Sequence, residues 1–343
     1  MGLGFEVVAR VAGRATGGSR ATLLTVRRLC RSLLALLITV AVVIPLSAAA
    51  RPRIPAPAPA VLTPLTASTL DEAYAANRAN AAAASRMAAA HGDHGRAVAD
   101  GALADPSRTL LAFDGRGSGL ATEVFGDLAH ADRIAVLVPG SDTTLDTYPR
   151  FRAAATALYG QLTRHAPKDS RPAVIAWLGY ETPRTISTTA LTTTRADRAA
   201  PRLRELIRRL HVIAGPEVRV SLLCHSYGSV VCARAASTGP GVGDIAFVGS
   251  PGTGVDSAAA LRTSARVWAA RGADDWIAEV PYVRTNLFGT TVGFGTDPVS
   301  PAYGARVFAA GEGGHSDYYT PGSVSLANLA RIVLGDTSEV TRA

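Results

Sequence analysis

The stretch that most constrains the fold runs from Val218 to Ala236. Val218-Arg219-Val220-Ser221-Leu222-Leu223-Cys224 is a Val/Leu-rich apolar run that reads as a buried strand of a parallel sheet. It stops at Cys224-His225-Ser226-Tyr227-Gly228, and Ser229-Val230-Val231-Cys232-Ala233-Arg234-Ala235-Ala236 then reads as a helix packed on that sheet. A strand, a sharp turn and a helix with serine at the apex describe a nucleophile elbow. Such a turn strains the serine backbone, so the positions two before and two after it need small side chains. Gly228 meets that need, and Cys224, small as well, stands where glycine is usual. The bland alternative is an ordinary strand-to-helix turn whose serine caps the helix, and the downstream sequence decides between the two.

Around this elbow the remaining apolar segments alternate with helical ones. Strands are expected at 109–114, 120–125, 133–138, 172–178, 244–248, 265–270 and 305–308, with helices at 147–164, 195–211 and 324–334. That order implies an α/β fold, a mostly parallel central sheet flanked by helices. The Gly-Arg-Gly-Ser-Gly run at 115–119 is followed by a strand, which makes it a hairpin turn and not a dinucleotide loop.

The 343 residues suffice for one large domain with N-terminal additions. Residues 1–50 read as a signal peptide or N-terminal membrane anchor: Arg27, Arg28 and Arg31 precede an apolar run from Leu33 to Leu46, and Ser47-Ala48-Ala49-Ala50 supplies small residues for cleavage. The run is shorter than the roughly 20 residues of a spanning helix and is broken by Pro45, which favours cleavage. Residues 51–68 are a Pro/Ala-rich linker, expected to be an extended tether, and 69–108 a helical N-terminal extension to the 109–343 domain. The expected location is therefore secreted or in the cell envelope. The formal charge of +8 is concentrated in the leader, whose six arginines and one glutamate leave +3 on the rest of the chain. No basic run with interleaved aromatics occurs there, so nucleic acid is not an expected partner.

Attack by a serine on an acyl carbon needs a base, a carboxylate to hold the base, and donors for the oxyanion. At the strand ends of such a sheet these follow in the order serine, acid, histidine. Asp275, in Gly272-Ala273-Asp274-Asp275-Trp276-Ile277, follows the strand 265–270 and is preferred to Asp274 by spacing. His315, in Gly313-Gly314-His315-Ser316-Asp317, follows the last strand. Asp297 and Asp317 read as turn residues, His130, His165 and His211 precede the elbow, and His225 adjoins the serine too closely to serve it. The oxyanion donors are the backbone N–H of Tyr227 and that of Ser141 or Asp142, after Pro139-Gly140. Trp177, Tyr180, Phe288 and Phe294 are candidates for a substrate pocket, with core packing the alternative for each. Cys224 and Cys232 lie where a strand-to-helix disulfide is geometrically conceivable, two small thiols being the alternative. His91 and His94 read as a helix end, not a metal pair, and no metal or organic cofactor is called for.

Several segments together carry a resemblance to a known family. They are Phe113-Asp114 with Gly126-Asp127-Leu128, Val138-Pro139-Gly140 with Asp142-Thr143, Trp177-Leu178-Gly179-Tyr180, His225-Ser226-Tyr227-Gly228-Ser229, Asp297-Pro298 with Tyr303-Gly304-Ala305, and His315-Ser316-Asp317-Tyr318. From about residue 109 to 334 the chain resembles a group of exported actinobacterial α/β-hydrolases, and the helical stretch 69–104 resembles that group's N-terminal part. The resemblance implies an α/β-hydrolase fold with a Ser226–Asp275–His315 triad. The expected activity is that of a serine esterase acting on a small-molecule or lipid-like ester, with association with the cell envelope a further expectation. An acyltransferase with the same triad and a non-catalytic envelope-binding domain are the alternatives.

Overall fold

Parallel register across the centre of the sheet sets everything that follows. In the computed structural model, which describes residues 54–343 except 186, 237–240 and 288–289, β3 (Arg133–Val138) lies between β4 (Pro172–Leu178) and β5 (Arg219–His225) and runs parallel to both. β6 (Val242–Val248), β7 (Arg266–Ala270) and the short β10 (Arg306–Val307) continue the parallel sheet on one side. On the other, β2 (Leu120–Phe125) pairs antiparallel with β4 and with the edge strand β1 (Leu110–Asp114). The eight-stranded order is β1-β2-β4-β3-β5-β6-β7-β10, and β8 (Thr285–Leu287) and β9 (Thr290–Val292) form a separate two-stranded hairpin. The signal-peptide assignment for 1–50 lies outside the described residues.

Helices cover both faces because the central strands are apolar on both. All seven residues of β4 are buried, as a strand sandwiched between two layers requires. One face carries α4 (Thr194–Ala214) and α5 (Gly228–Ala236). α4 buries Ala196, Ala199, Ala200, Leu203, Leu206, Ile207, Leu210 and Ile213 at helical spacing and turns its arginines outward. The other face carries α3 (Tyr148–His165) and α6 (Val324–Leu334). The α6 N-terminus is capped by the Ser323 side chain, which accepts the Leu326 N–H, and Gly335 at φ 88° ends it.

The N-terminal segment is fastened to this body. α1 (Leu70–Ala90) presents Ala73, Ala81, Ala84 and Ala88 to the protein, and its Asn77 Nδ2 donates to the Leu110 carbonyl of edge strand β1 at 3.1 Å. α2 (His94–Leu103) starts on an Asp93 cap, so His91 and His94 flank the break between two helices. Arg96, 2% exposed, donates to Asp100 and to the carbonyls of Gly115 and Gly117 in the β1–β2 turn. The Pro/Ala-rich stretch, expected to be an extended tether, packs on the body over its described part. Asn80 Nδ2 donates to the Ala58 carbonyl at 2.7 Å, and Ala56 and Leu65 pack against the core. Residues 54–343 form one compact unit.

Candidate active site

Val138 of β3 pairs with Cys224 of β5, so continuing both strands brings Gly140 alongside Ser226. The approach is close enough that a Cβ on Gly140 would lie 2.6 Å from Ser226 Cβ. This is the point where the chain crosses to opposite sides of the sheet, the crevice in which open α/β sheets hold ligands. Ser226 takes φ 53°, the left-handed conformation that a nucleophile turn imposes. Gly228 is required by proximity: a Cβ there would meet the Val138 carbonyl at 2.5 Å and the Pro139 carbonyl at 2.7 Å. Behind the turn, Cys224 and Cys232 form a disulfide between β5 and α5, their Cα atoms 6.4 Å apart.

Two loops from β7 and β10 converge on this serine. Ser226 Oγ lies 3.0 Å from His315 Nε2, and His315 Nδ1 lies 2.8 Å from Asp275 Oδ1. A carboxylate accepts, so Nδ1 carries the proton and Nε2 is left to accept from the serine hydroxyl. Asp275 is buried while Asp274 is exposed. Burial acts to raise the Asp275 carboxyl, but hydrogen bonds from His315, the Tyr318 hydroxyl and the Ile277 N–H outweigh it and hold the group below the usual carboxylate range. Tyr318 accepts the Gly272 N–H at 3.0 Å while donating to Asp275 Oδ2. Burial, and the carboxylate beside it, push the phenol far above its ordinary pKa, so it stays a donor.

His225, set aside by sequence as a base for its neighbour, has a different place. Its Nε2–H donates to the backbone carbonyl of His315 at 2.7 Å, tying the histidine loop to the end of β5. Burial, reinforced by the nearby His315, pushes its pKa down to about 4, so it is neutral at ordinary pH. Trp276, directly after the acid, lies with its ring 4.6 Å from that of His315 and remains 50% exposed. No sequence pattern marks these three neighbours of His315, since a histidine beside a serine, a tyrosine in a loop and a loop tryptophan each have commoner explanations.

Of the candidate oxyanion donors, the N–H groups of Tyr227 and Ser141 have no acceptor among the described residues. Asp142 is a correction: its N–H donates to the Pro183 carbonyl at 2.9 Å and is already spent. Three of the pocket residues are corrected as well. Trp177 and Tyr180 stack on each other at 5.9 Å, both 3% exposed, in the core beneath α4, and the Tyr180 hydroxyl donates to the Pro139 carbonyl. Phe294 packs edge-on against Tyr227 at 5.7 Å and is 5% exposed. These aromatics support the loops from below and do not wall the cleft, and Phe288 lies outside the described residues. The cleft at Ser226 and His315, of about 470 Å³, is instead closed by the 141–143 loop, the N-terminal turns of α3, Thr185 and the 316–319 loop. Asp297 binds Arg271 and accepts the Val299 N–H, and Asp317 accepts the Gly314 N–H, as turn residues do.

A family model described as alpha/beta hydrolase matches residues 114–285. The chain is 31% identical over 256 residues to the uncharacterised protein Rv2079 of Mycobacterium tuberculosis, in an alignment that takes in 66% of this chain and 38% of the relative. It thus spans well under half the length of that protein. It is 28% identical over 176 residues to the uncharacterised protein Rv0963c of the same species, covering 48% of this chain and 66% of that one. Among solved structures, a predicted CIB-like hydrolase from Thermoplasma acidophilum aligns with 67% of this chain and 96% of its own at 14% identity and a TM-score of 0.42. Esterase PE8 aligns with 62% of this chain and 97% of its own at 17% identity and a TM-score of 0.40.

Proposed function

We propose, since this chain belongs to the alpha/beta-hydrolase family, that it is a serine hydrolase of carboxylic esters, with Ser226 as nucleophile, His315 as base and Asp275 as its orienting acid. The observation that carries the reading is the unbroken hydrogen-bonded chain from Ser226 Oγ through both ring nitrogens of His315 to Asp275. His315 Nε2 takes the hydroxyl proton as Oγ attacks the ester carbon, and the oxyanion forms beside the unbonded N–H groups of Tyr227 and Ser141. The imidazolium, held by Asp275, gives that proton to the departing alkoxide. Water, deprotonated by the same nitrogen, then adds to the acyl-enzyme, and collapse returns Ser226 and a carboxylic acid.

The disulfide behind the elbow and the leader-like pattern of residues 1–50 support an extracytoplasmic setting. The test is covalent labelling by a fluorophosphonate, read by intact mass, with hydrolysis of a short-chain aryl ester measured in parallel. Stoichiometric labelling and turnover, both absent in Ser226→Ala, are expected. A folded wild-type protein that neither labels nor hydrolyses refutes the proposal.

A further inference from the structure

Ligand clefts are usually walled by apolar and aromatic side chains with a few polar groups among them, and the cleft at Ser226 carries more hydroxyl side chains than that. Ser141, Thr143, Thr185 and Ser316 bring hydroxyls to it, and only Phe151 and Ala154 are wholly apolar. The side-chain hydroxyls of Ser141, Thr185 and Ser316 make no hydrogen bond to a described residue, and the Arg150 guanidinium on the first turn of α3 has no acidic partner among them. Asp142 stands in the same wall as Arg150, its Oδ2 accepting the Thr185 N–H at 3.1 Å. A long alkyl chain would strand these groups without water. An anionic substrate would meet Asp142 as well as Arg150. A neutral molecule with many hydroxyls satisfies both charges and the free hydroxyls together.

A second observation points the same way. Trp276 keeps half its surface in water, although burial of so large an apolar ring is strongly favourable. Its ring lies against that of His315, a residue of the cleft wall, so a half-exposed aromatic side chain stands next to the base, just outside the wall itself. A pyranose has C–H groups on its faces and hydroxyls around its edge, which suits one aromatic plane next to a wall of polar groups.

We infer that the substrates are esters of sugars, with the sugar ring resting on Trp276 and its hydroxyls read by the polar wall. The inference rests on the ester-hydrolase reading and narrows it. Methyl 6-O-acetylglucoside and ethyl acetate share the acyl group and differ in the alcohol, so the ratio of their kcat/KM values reads the sugar alone. A preference of about tenfold or more for the sugar ester is expected, the discrimination that a few matched contacts supply. Trp276→Ala is expected to collapse that ratio through KM, and Trp276→Phe, which keeps an aromatic face, to retain most of it. Equal rates on the two esters, or a ratio unmoved by Trp276→Ala, overturn the inference.

Saturation-transfer NMR of methyl 6-O-acetylglucoside on folded Ser226→Ala protein reads binding without turnover. Transfer that Trp276→Ala abolishes supports the inference, and no transfer at millimolar ligand overturns it, whatever the hydrolysis assay finds. Fluorophosphonate labelling reports separately on the nucleophile, so failure of the hydrolase reading is distinguishable from failure of the sugar reading.

Discussion

Tyr318→Phe removes one oxygen with two duties, and pH tells the two apart. The hydroxyl donates to Asp275 Oδ2 and accepts the Gly272 N–H, and Tyr318 is only 3% exposed. Loss of a hydrogen bond to an ionised group costs about 1.5–3 kcal/mol, and the orphaned buried N–H costs about 1–3 kcal/mol. The two overlap, so a stability loss of about 3–4 kcal/mol at neutral pH is expected in urea unfolding. The carboxylate's share has a definite sign. Asp275 is held below the usual range, so its contribution is present above the unfolded carboxyl's value of about 4 and is lost as pH falls through the lower folded value. Without the tyrosine the Asp275–His315 pair holds its proton more tightly. The acid limb of kcat/KM for a short aryl ester is therefore expected at higher pH in the variant than in the wild type. A variant that loses stability while its acid limb stays where the wild type has it would show that the hydroxyl only fills space beside Gly272, and the positioning argument would fail.

Neutral His225 makes a second pH-dependent contribution. Its folded pKa of about 4 lies below the unfolded value near 6.5, so its share of stability is whole above 6.5 and is lost as pH falls toward 4, up to about 3 kcal/mol. Urea midpoints at pH 7 and pH 5 should fall further for the wild type than for His225→Gln, which has no imidazole to charge. Cys224 and Cys232 are expected to show no free thiol in the denatured, unreduced mature protein, and the double Ala variant to lose about 2–3 kcal/mol, the loop-closure value for so short a ring. Two reactive thiols would contradict the disulfide. Arg96→Ala leaves Asp100 buried without its cation, and a loss of about 3–5 kcal/mol is expected by thermal or urea unfolding. A loss near zero would mean that the N-terminal helices are not fastened to the sheet as described.

Legibility from sequence followed the range of each interaction. The strands around β5 were readable because a parallel sheet buried on both faces demands uninterrupted apolar runs, as in Pro172–Leu178. The strained serine was readable because its neighbours must be small, and the structure states the cause in the carbonyls of Val138 and Pro139 facing Gly228. The order serine, acid, histidine is a property of topology and survives in one dimension. What belongs to loop closure does not. The N–H of Asp142 is taken by the carbonyl of Pro183, some forty residues on, and nothing local to either residue announces that bond. Trp177 and Tyr180 invited a pocket reading because they end a strand at the active edge, yet they pack on each other beneath α4. His225, Tyr318 and Trp276 were passed over for the same reason in reverse. Each touches the imidazole or its carboxylate only because the loops after β7 and β10 fold over one strand end. Their side chains give His315 a fixed carbonyl, a carboxylate with a second donor, and a half-exposed aromatic neighbour. Fixed through its backbone carbonyl by His225 and through its carboxylate partner by Tyr318, the His315 imidazole keeps its orientation toward Ser226 before any ligand arrives, and only the folded chain displays that preorganisation.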